Sequence, residues 1–519
     1  MTVEGADHLA GTALSDDGES PDDDGESPDD GRGVPRVHRR RLPTPTRRDL
    51  LRRGAEIGRA LAARLTPLAM RQATALRTDA LSSRHLRGAV LPLAEYARPW
   101  RQVCEDLGGT FMKFGQMVAS APGLFGEEVA DEFRALLDTG PAVPFEQVRA
   151  LIEDDLGMDL EEAFAEIDPI PIGRASIAVV HRGRLHDGRV VAVKVLRPGI
   201  DTLVGTDLDL MQPLVELLAR ETGDQTAGSI LQLLDGLRQQ LSEELDLRNE
   251  ARALEHFRGL LAEVDLPLLV VPEPHPALSG CNVLTMEFLD GVPIDDLAKV
   301  RELGYDPAPR IEQVVRGFLL TTVRWGAFHG DVHAGNMLAL RDGRVGIIDW
   351  GIVGRLDDET HRFFVRVLEA VLGDEDAWPD ITAHLTRTYG PAIQEGLGLD
   401  DEQLTTLIKS LILPTLTRPF GEVSLAALLQ APQIEAAKVR GAAAHERTLR
   451  SVLARLRRQR RMRRIAESSG GLNSDFDRGT FLLGKQLMYF ERYGKLFLSD
   501  VPILNDPDFL RQLLAGARR

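Results

Sequence analysis

The hydrophobic pattern divides the chain into stretches of different period. From about residue 47, Leu, Ala and Val recur at helical spacing with few breakers before Pro92, and similar texture predicts helices to about residue 165. Short apolar runs rich in β-branched residues follow: SIAVVHRGRL, a turn at Asp187-Gly188, and RVVAVKVLRP. Two such runs joined by a Gly-containing turn predict an antiparallel hairpin. Residues 229–264 are amphipathic and predict a long helix, and NVLTMEFL predicts a further strand. From about residue 308 the pattern is mostly helical, interrupted by GAFHGDVHAGNMLAL and RVGIIDWG. The predicted order is strands, helix, strand, many helices.

Ahead of these elements the periodicity stops. Residues 16–21 and 23–28 repeat the hexapeptide DDGESP in a segment with almost no apolar side chains. Such a segment cannot offset its ordering entropy by burial and is expected to be disordered. Residues 36–53 are strongly basic, suited either to touch anionic lipid or to fold back on the acidic tail. A second basic stretch, residues 447–464, carries Leu449, Val452, Leu453 and Leu456 at helical spacing. It suits peripheral contact with an anionic membrane, or packing of its Leu face on the core.

Composition narrows the classes. A chain of 519 residues with 43% hydrophobic content can bury far more than one small domain needs, so one large catalytic domain with helical additions is expected. Two cysteines, Cys104 and Cys281, do not make a disulfide framework and fit a reducing compartment. No basic and apolar leader and no run of about 18 apolar residues is present, so a cytoplasmic protein is expected, neither membrane-spanning nor secreted. The net charge of −17 argues against a nucleic-acid partner, because phosphate contacts need clustered Lys and Arg.

Cation usage adds chemistry. Only seven of the 62 basic residues are Lys, so Lys194 at the end of the apolar run Val191-Ala192-Val193 suggests a need for a compact ammonium, as at phosphate oxygens. Asp331 and Asn336 in HGDVHAGNML, with Asp349 in IIDWG, have the spacing of a kinase catalytic loop and its metal-binding Asp-aromatic-Gly. Such a site needs an acceptor group for the attacking hydroxyl and oxygen ligands for Mg²⁺. The rival use of this loop is a transition-metal site on His329 and His333, four apart on a helix face. In residues 243–250, Asp246 and Glu250 share a helix face while Glu244 lies around it, so these acids can serve two cations, with Glu250 paired to Lys194. In FMKFGQMVAS, Lys113, Gly115 and Gln116 interrupt an apolar helix.

Together, Lys113-Phe114-Gly115-Gln116, Ala175-Ser176, Val191 to Lys194, Glu244-x-Asp246, Glu250, Asp331-x4-Asn336 and Asp349-Trp350-Gly351 resemble, in order, the UbiB/AarF/ADCK family of atypical kinases. The resemblance covers roughly residues 95 to 355. It implies an α+β, bilobal protein kinase-like fold: a disordered acidic tail (1–34), a basic segment and helical extension carrying KxGQ (35–165), a kinase-like N-lobe (166–290) and a helical C-lobe (291–519). The extension would lie over the active site through Lys113 and the Glu244/Asp246 pair, obstructing protein substrates. ATP and Mg²⁺ are the implied cofactors. Lys194 would hold the α- and β-phosphates, Asp331 would be the catalytic base, and Asn336 and Asp349 would bind Mg²⁺. Ala175 and Ser176 would sit in the nucleotide loop, and Met286-Glu287-Phe288 would be the hinge that reads adenine through backbone groups.

Several positions depart from the family pattern. The usual Gly-rich loop is absent, Arg174 stands where the Ala-rich loop has a small residue, Val179 stands where Gln is common, and Trp350 replaces Phe. C-terminal membrane helices carried by some members are missing. The resemblance implies an ATPase or kinase acting on a small-molecule or lipidic substrate, connected with isoprenoid quinone and lipid metabolism. Its alternatives are a protein kinase and a non-catalytic ATP-responsive scaffold. The HGDxHxGN loop also resembles aminoglycoside and choline kinases, which lack the KxGQ element.

Overall fold

The computed structural model describes residues 37–79, 93–119, 127–136, 140–222, 225–389, 399–419, 478–501 and 506–517. The acidic repeat and the basic stretch 447–464 lie outside the described residues.

Helices α1 (Arg47–Asp79), α2 (Leu93–Leu107), α3 (Gly109–Ala119) and α4 (Glu127–Arg134) form the extension. Buried Val103, Phe111, Met112 and Phe133 hold it together. The α2–α3 corner needs left-handed backbone at Gly108 (φ 63°) and Gly109 (φ 48°), where a side chain would be strained. Helices α5 (Phe145–Leu156) and α6 (Leu160–Ala163) lead into an antiparallel sheet of β1 (Glu166–Ile167), β2 (Gly173–Arg174), β3 (Ala178–Arg184), β4 (Val190–Leu196) and, later in the chain, the strand Val283–Glu287. β3 and β4 form the expected hairpin, turning through Gly188 at φ 89°.

Between β4 and Val283–Glu287 run α7 (Ile200–Thr222), α8 (Gln225–Glu244), α9 (Leu247–Ala262) and β5 (Leu269–Val270). The single helix expected over residues 229–264 is therefore corrected to two. Asp246 leaves helical geometry (φ −123°, ψ 98°), and its carboxylate accepts the Arg248 N–H as the N-cap of α9. Leu241 and Leu245 before α9 and Leu254 within it all enter one core, each fully buried side chain contributing roughly 1.5–3 kcal/mol.

After β6 (Val283–Glu287) the second lobe contains β7 (Gly291–Pro293), α10 (Leu297–Glu302), α11 (Ala308–Trp325), β8 (Ala327–His329), β9 (Met337–Leu340), β10 (Val345–Ile347) and β11 (Val353–Arg355). Helices α12 (Asp358–Val371), α13 (Ala377–Tyr389), α14 (Asp401–Leu416), α15 (Arg478–Phe497) and α16 (Pro507–Ala515) follow. A small sheet runs β5-β10-β9-β7, and β8 pairs with β11 as a separate ribbon. The architecture is the bilobal, mixed α and β kinase-like fold: a sheet-bearing lobe, a helical lobe, and a cleft between them with the extension against it. Among the described residues no helix is long and apolar enough to cross a membrane.

Candidate functional site

The cleft brings Lys113, Lys194, Glu244, Glu250, Asp331 and Asp349 together. Strand alternation places Lys194. Val191, Val193 and Val195 pack toward Val148, Ile152 and Phe164, so Ala192, Lys194 and Leu196 take the opposite face. Lys194 Nζ lies 2.7 Å from Glu250 Oε2 and 3.3 Å from Asp349 Oδ1. Burial opposes its charge, but the carboxylates of Asp349 and Glu250 outweigh that and hold the ammonium above its ordinary range. Glu250, in the first turn of α9, also accepts the Trp350 N–H on Oε1 at 3.3 Å, tying the lysine to the Asp-Trp-Gly turn.

The two acidic loops are joined through His329. Asp331 N–H donates to its Nδ1 at 3.0 Å, and its Nε2–H donates to the Asp349 carbonyl at 2.5 Å. Both ring nitrogens are thereby committed, and His333 caps the short 3₁₀ turn 334–336 instead of continuing a helix. The alternative of a His329/His333 metal pair on a helix face is thus corrected by the backbone. Burial pushes His329 down to about 4. The unfolded chain, with an ordinary His near 6.5, takes up the proton first, so this stabilising contribution is complete above about pH 6.5 and lost toward pH 4. His329→Gln should remove roughly 2 kcal/mol of the stability that wild type loses between pH 6.5 and 4.5. Urea unfolding in magnesium-free buffer checks this, and identical slopes for the two proteins would refute it.

Asn336 Nδ2 donates to the Asp331 carbonyl at 3.1 Å, and the Asn336 carbonyl accepts the Ile348 N–H at 3.0 Å, so the two loops are stitched a second time. Burial would raise Asp349, yet Lys194, Lys113 and the Gly351 amide hold it far below the ordinary carboxylate range. Asp331 is likewise held low against burial, chiefly by Lys485. Trp350 fits: its ring packs 4.5 Å from both Phe257 and His329, and its indole N–H donates to Ile347 O at 2.9 Å.

On the extension side, Lys113 Nζ lies 2.8 Å from Glu244 Oε2. The expected Glu244/Asp246 pair divides: Asp246 caps α9 and is held by Arg248 at 2.7 Å. Gly115 serves packing, since a Cβ there would come within 3.2 Å of Phe133 and Leu136. Gln116, one turn beyond Lys113, is half-buried. Ala175 lines the cleft and its carbonyl accepts from Arg197 Nε at 2.9 Å, Ser176 is buried, and Arg174 is exposed. Glu287 and Phe288 stand apart from the charged cluster, their amides donating to Glu273 O at 2.8 Å and Val190 O at 3.3 Å. A base read by backbone groups at this stretch would therefore not use those two N–H groups.

Two features escaped the sequence reading. In its described part the basic segment pairs with the folded domain: Arg39 reaches Glu243 at 3.4 Å, Arg40 reaches Asp201 at 3.0 Å, and His38 exchanges hydrogen bonds with Asn249. It straps the outside of the α8–α9 junction. The second is Lys485 on α15, whose ammonium lies 2.7 Å from Asp331 Oδ1.

The ABC1 atypical kinase-like domain matches residues 135–378. An uncharacterized chloroplastic aarF domain-containing protein kinase of Arabidopsis thaliana is 31% identical over 78% of this chain and 73% of its own length. The chain belongs to the UbiB/AarF/ADCK family of atypical kinases. Other similar proteins are Rv0647c of Mycobacterium tuberculosis, 30% identical over 79% of this chain and 78% of its own, and a probable protein kinase UbiB of Cellvibrio japonicus, 29% identical over 63% and 59%. In this family member, Lys113 precedes the span matched by the kinase-like domain and Lys485 follows it, so both termini of the fold bring cations to a cleft whose other charges lie inside the span.

Proposed function

We propose that the chain is an ATP-dependent phosphotransferase or ATPase that serves a small-molecule or lipidic, isoprenoid quinone-type acceptor. The observation that carries this is one cleft holding a buried Lys194–Glu250 pair beside Asp349 and Asp331, two carboxylates held ionised. Lys194 would bind the α- and β-phosphates, and Ala175 and Ser176 would flank them. Among the described residues no three His, Cys, Asp or Glu groups converge to hold a metal by themselves. A donor set of Asp349 and Asn336 fits Mg²⁺, which takes few protein ligands and completes its shell with phosphate and water. Bound Mg²⁺ would neutralise charge on the phosphates. Asp331 would accept the proton of the acceptor hydroxyl, or of water, as that oxygen forms its bond to the γ-phosphorus. The bond from that phosphorus to the bridging oxygen breaks, its electron pair leaving on ADP.

The ion pair between Lys113 and Glu244 supports a small acceptor over a protein, because it keeps α3 across the cleft. The basic residues 447–464 support peripheral contact with an anionic membrane, which would bring a lipidic acceptor to the site. The test is magnesium-dependent ATP hydrolysis by the purified protein, with and without anionic liposomes and a quinone-precursor phenol. Hydrolysis that rises several-fold with either addition is expected. Tight nucleotide binding without turnover under every condition would instead favour a non-catalytic, ATP-responsive scaffold.

A further inference from the structure

Lys113 and Lys194 each have a carboxylate partner from the α8–α9 region, Glu244 and Glu250. Lys485 approaches from a different element. Helix α15 grips the Asp331 loop from both sides of one residue: Gln486 Oε1 accepts the Val332 N–H at 3.1 Å, and the Tyr493 hydroxyl donates to Val332 O at 2.8 Å. Gln486 and Tyr493 are 0% and 2% exposed. Leu482 closes on Gly330, where a Cβ would come within 3.3 Å of its Cδ1. Residues 482, 485, 486, 489 and 493 recur at helical spacing, so a single face of α15 makes this grip. The apolar and backbone contacts already anchor the helix. Placing an ammonium, its side chain 12% exposed, 2.7 Å from Asp331 adds a desolvation cost that anchoring alone does not require.

We propose that Lys485 is a substrate-contacting cation: with nucleotide bound, its ammonium meets the terminal phosphoryl group in transfer while it orients the Asp331 carboxylate toward the acceptor. The inference rests on the phosphoryl-transfer reading above and deepens it by making the C-terminal helix part of the active site. An ammonium has three donors and can serve a carboxylate and a phosphoryl oxygen together. Charge on the equatorial oxygens of the transferring group is what such a cation stabilises. ADP lacks that group, so Lys485 should distinguish the two nucleotides.

The experiment compares wild type, Lys485→Met and Lys485→Arg by calorimetric binding of Mg²⁺ with a non-hydrolysable ATP analogue and with ADP, and by turnover. The Met variant should bind the analogue roughly tenfold more weakly, a single decade of affinity, with ADP within twofold. Its kcat should fall roughly 10²-fold, and Arg should restore part of both losses. A residue that only anchors α15 would move both nucleotides alike or neither, and that result overturns the proposal. If the Met variant does not fold, Lys485→Gln carries the same readout without the charge. Wild type that binds neither nucleotide sinks the phosphoryl-transfer reading, and this proposal with it. Wild type that binds both, with selectivity unchanged in the variants, sinks the Lys485 assignment alone.

Discussion

Asp349→Asn is expected to lower magnesium-dependent ATP turnover by roughly 10²–10³-fold, the cost of removing one preorganised charge from a phosphoryl-transfer site. The substitution keeps the shape of the side chain, and its Oδ1 can still accept from Gly351 N–H, 3.2 Å away in wild type. What it removes is the negative charge. That charge is compensated by Lys194 at 3.3 Å, with Lys113 contributing to the same field. The Asn variant should accordingly bind magnesium-free ATP more tightly than wild type, because the triphosphate no longer faces a carboxylate, and its turnover should respond weakly to added Mg²⁺. Turnover and nucleotide affinity, each measured across a magnesium titration, separate these effects. A variant that keeps wild-type turnover and magnesium response would remove Asp349 from the metal-binding role.

The charged centre was legible because its residues carry local signatures. The strand Val191 to Lys194, the Asp-x4-Asn spacing and the Asp-Trp-Gly turn each fit within a few residues, and the structure gathers Lys194, Asp331 and Asp349 from them in one cleft. The division of α8 from α9 lay in a change of phase that the single-helix reading passed over: Leu234, Leu237, Leu241 and Leu245 follow one helical stripe, and Leu254, Phe257 and Leu260 follow another. The local signal was Asp246 itself, a strong N-cap type in an otherwise good helix. Lys485 was missed for a different reason: α15 reads as an ordinary amphipathic helix, far along the chain from the loop it grips. The scarcity of lysine was the available clue. The reasoning that singled out Lys194 applies equally to Lys113 and Lys485, and these three of the seven lysines each pair with a carboxylate of the same cleft, Glu250, Glu244 and Asp331 in turn. At the expected hinge, neighbouring backbone carbonyls take up the Glu287 and Phe288 amides, a tertiary fact that MEF as a string does not contain.

Lys113→Met should be among the most destabilising single changes in the extension. It leaves the Glu244 carboxylate, 6% exposed in its side chain, without the ammonium that compensates it, and breaking a buried pair in this way costs about 3–5 kcal/mol. Gln240 Nε2, 2.6 Å from Glu244 Oε1, supplies a hydrogen bond but no charge. The double variant Lys113→Met, Glu244→Leu should recover most of the loss, since an apolar pair of similar volume pays no desolvation. Chemical denaturation of both variants and wild type measures this directly, and additive losses would show that the two residues do not interact. The same variants bear on substrate size. If the ion pair is what keeps α3 across the cleft, the folded double variant should have the more accessible cleft at nearly wild-type stability. Phosphate incorporation into an added protein acceptor should then stay at background for a small-molecule enzyme. A rise in that incorporation would identify the extension as an autoinhibitory element of a protein kinase, and would reverse the reading of the acceptor while leaving the nucleotide site as described.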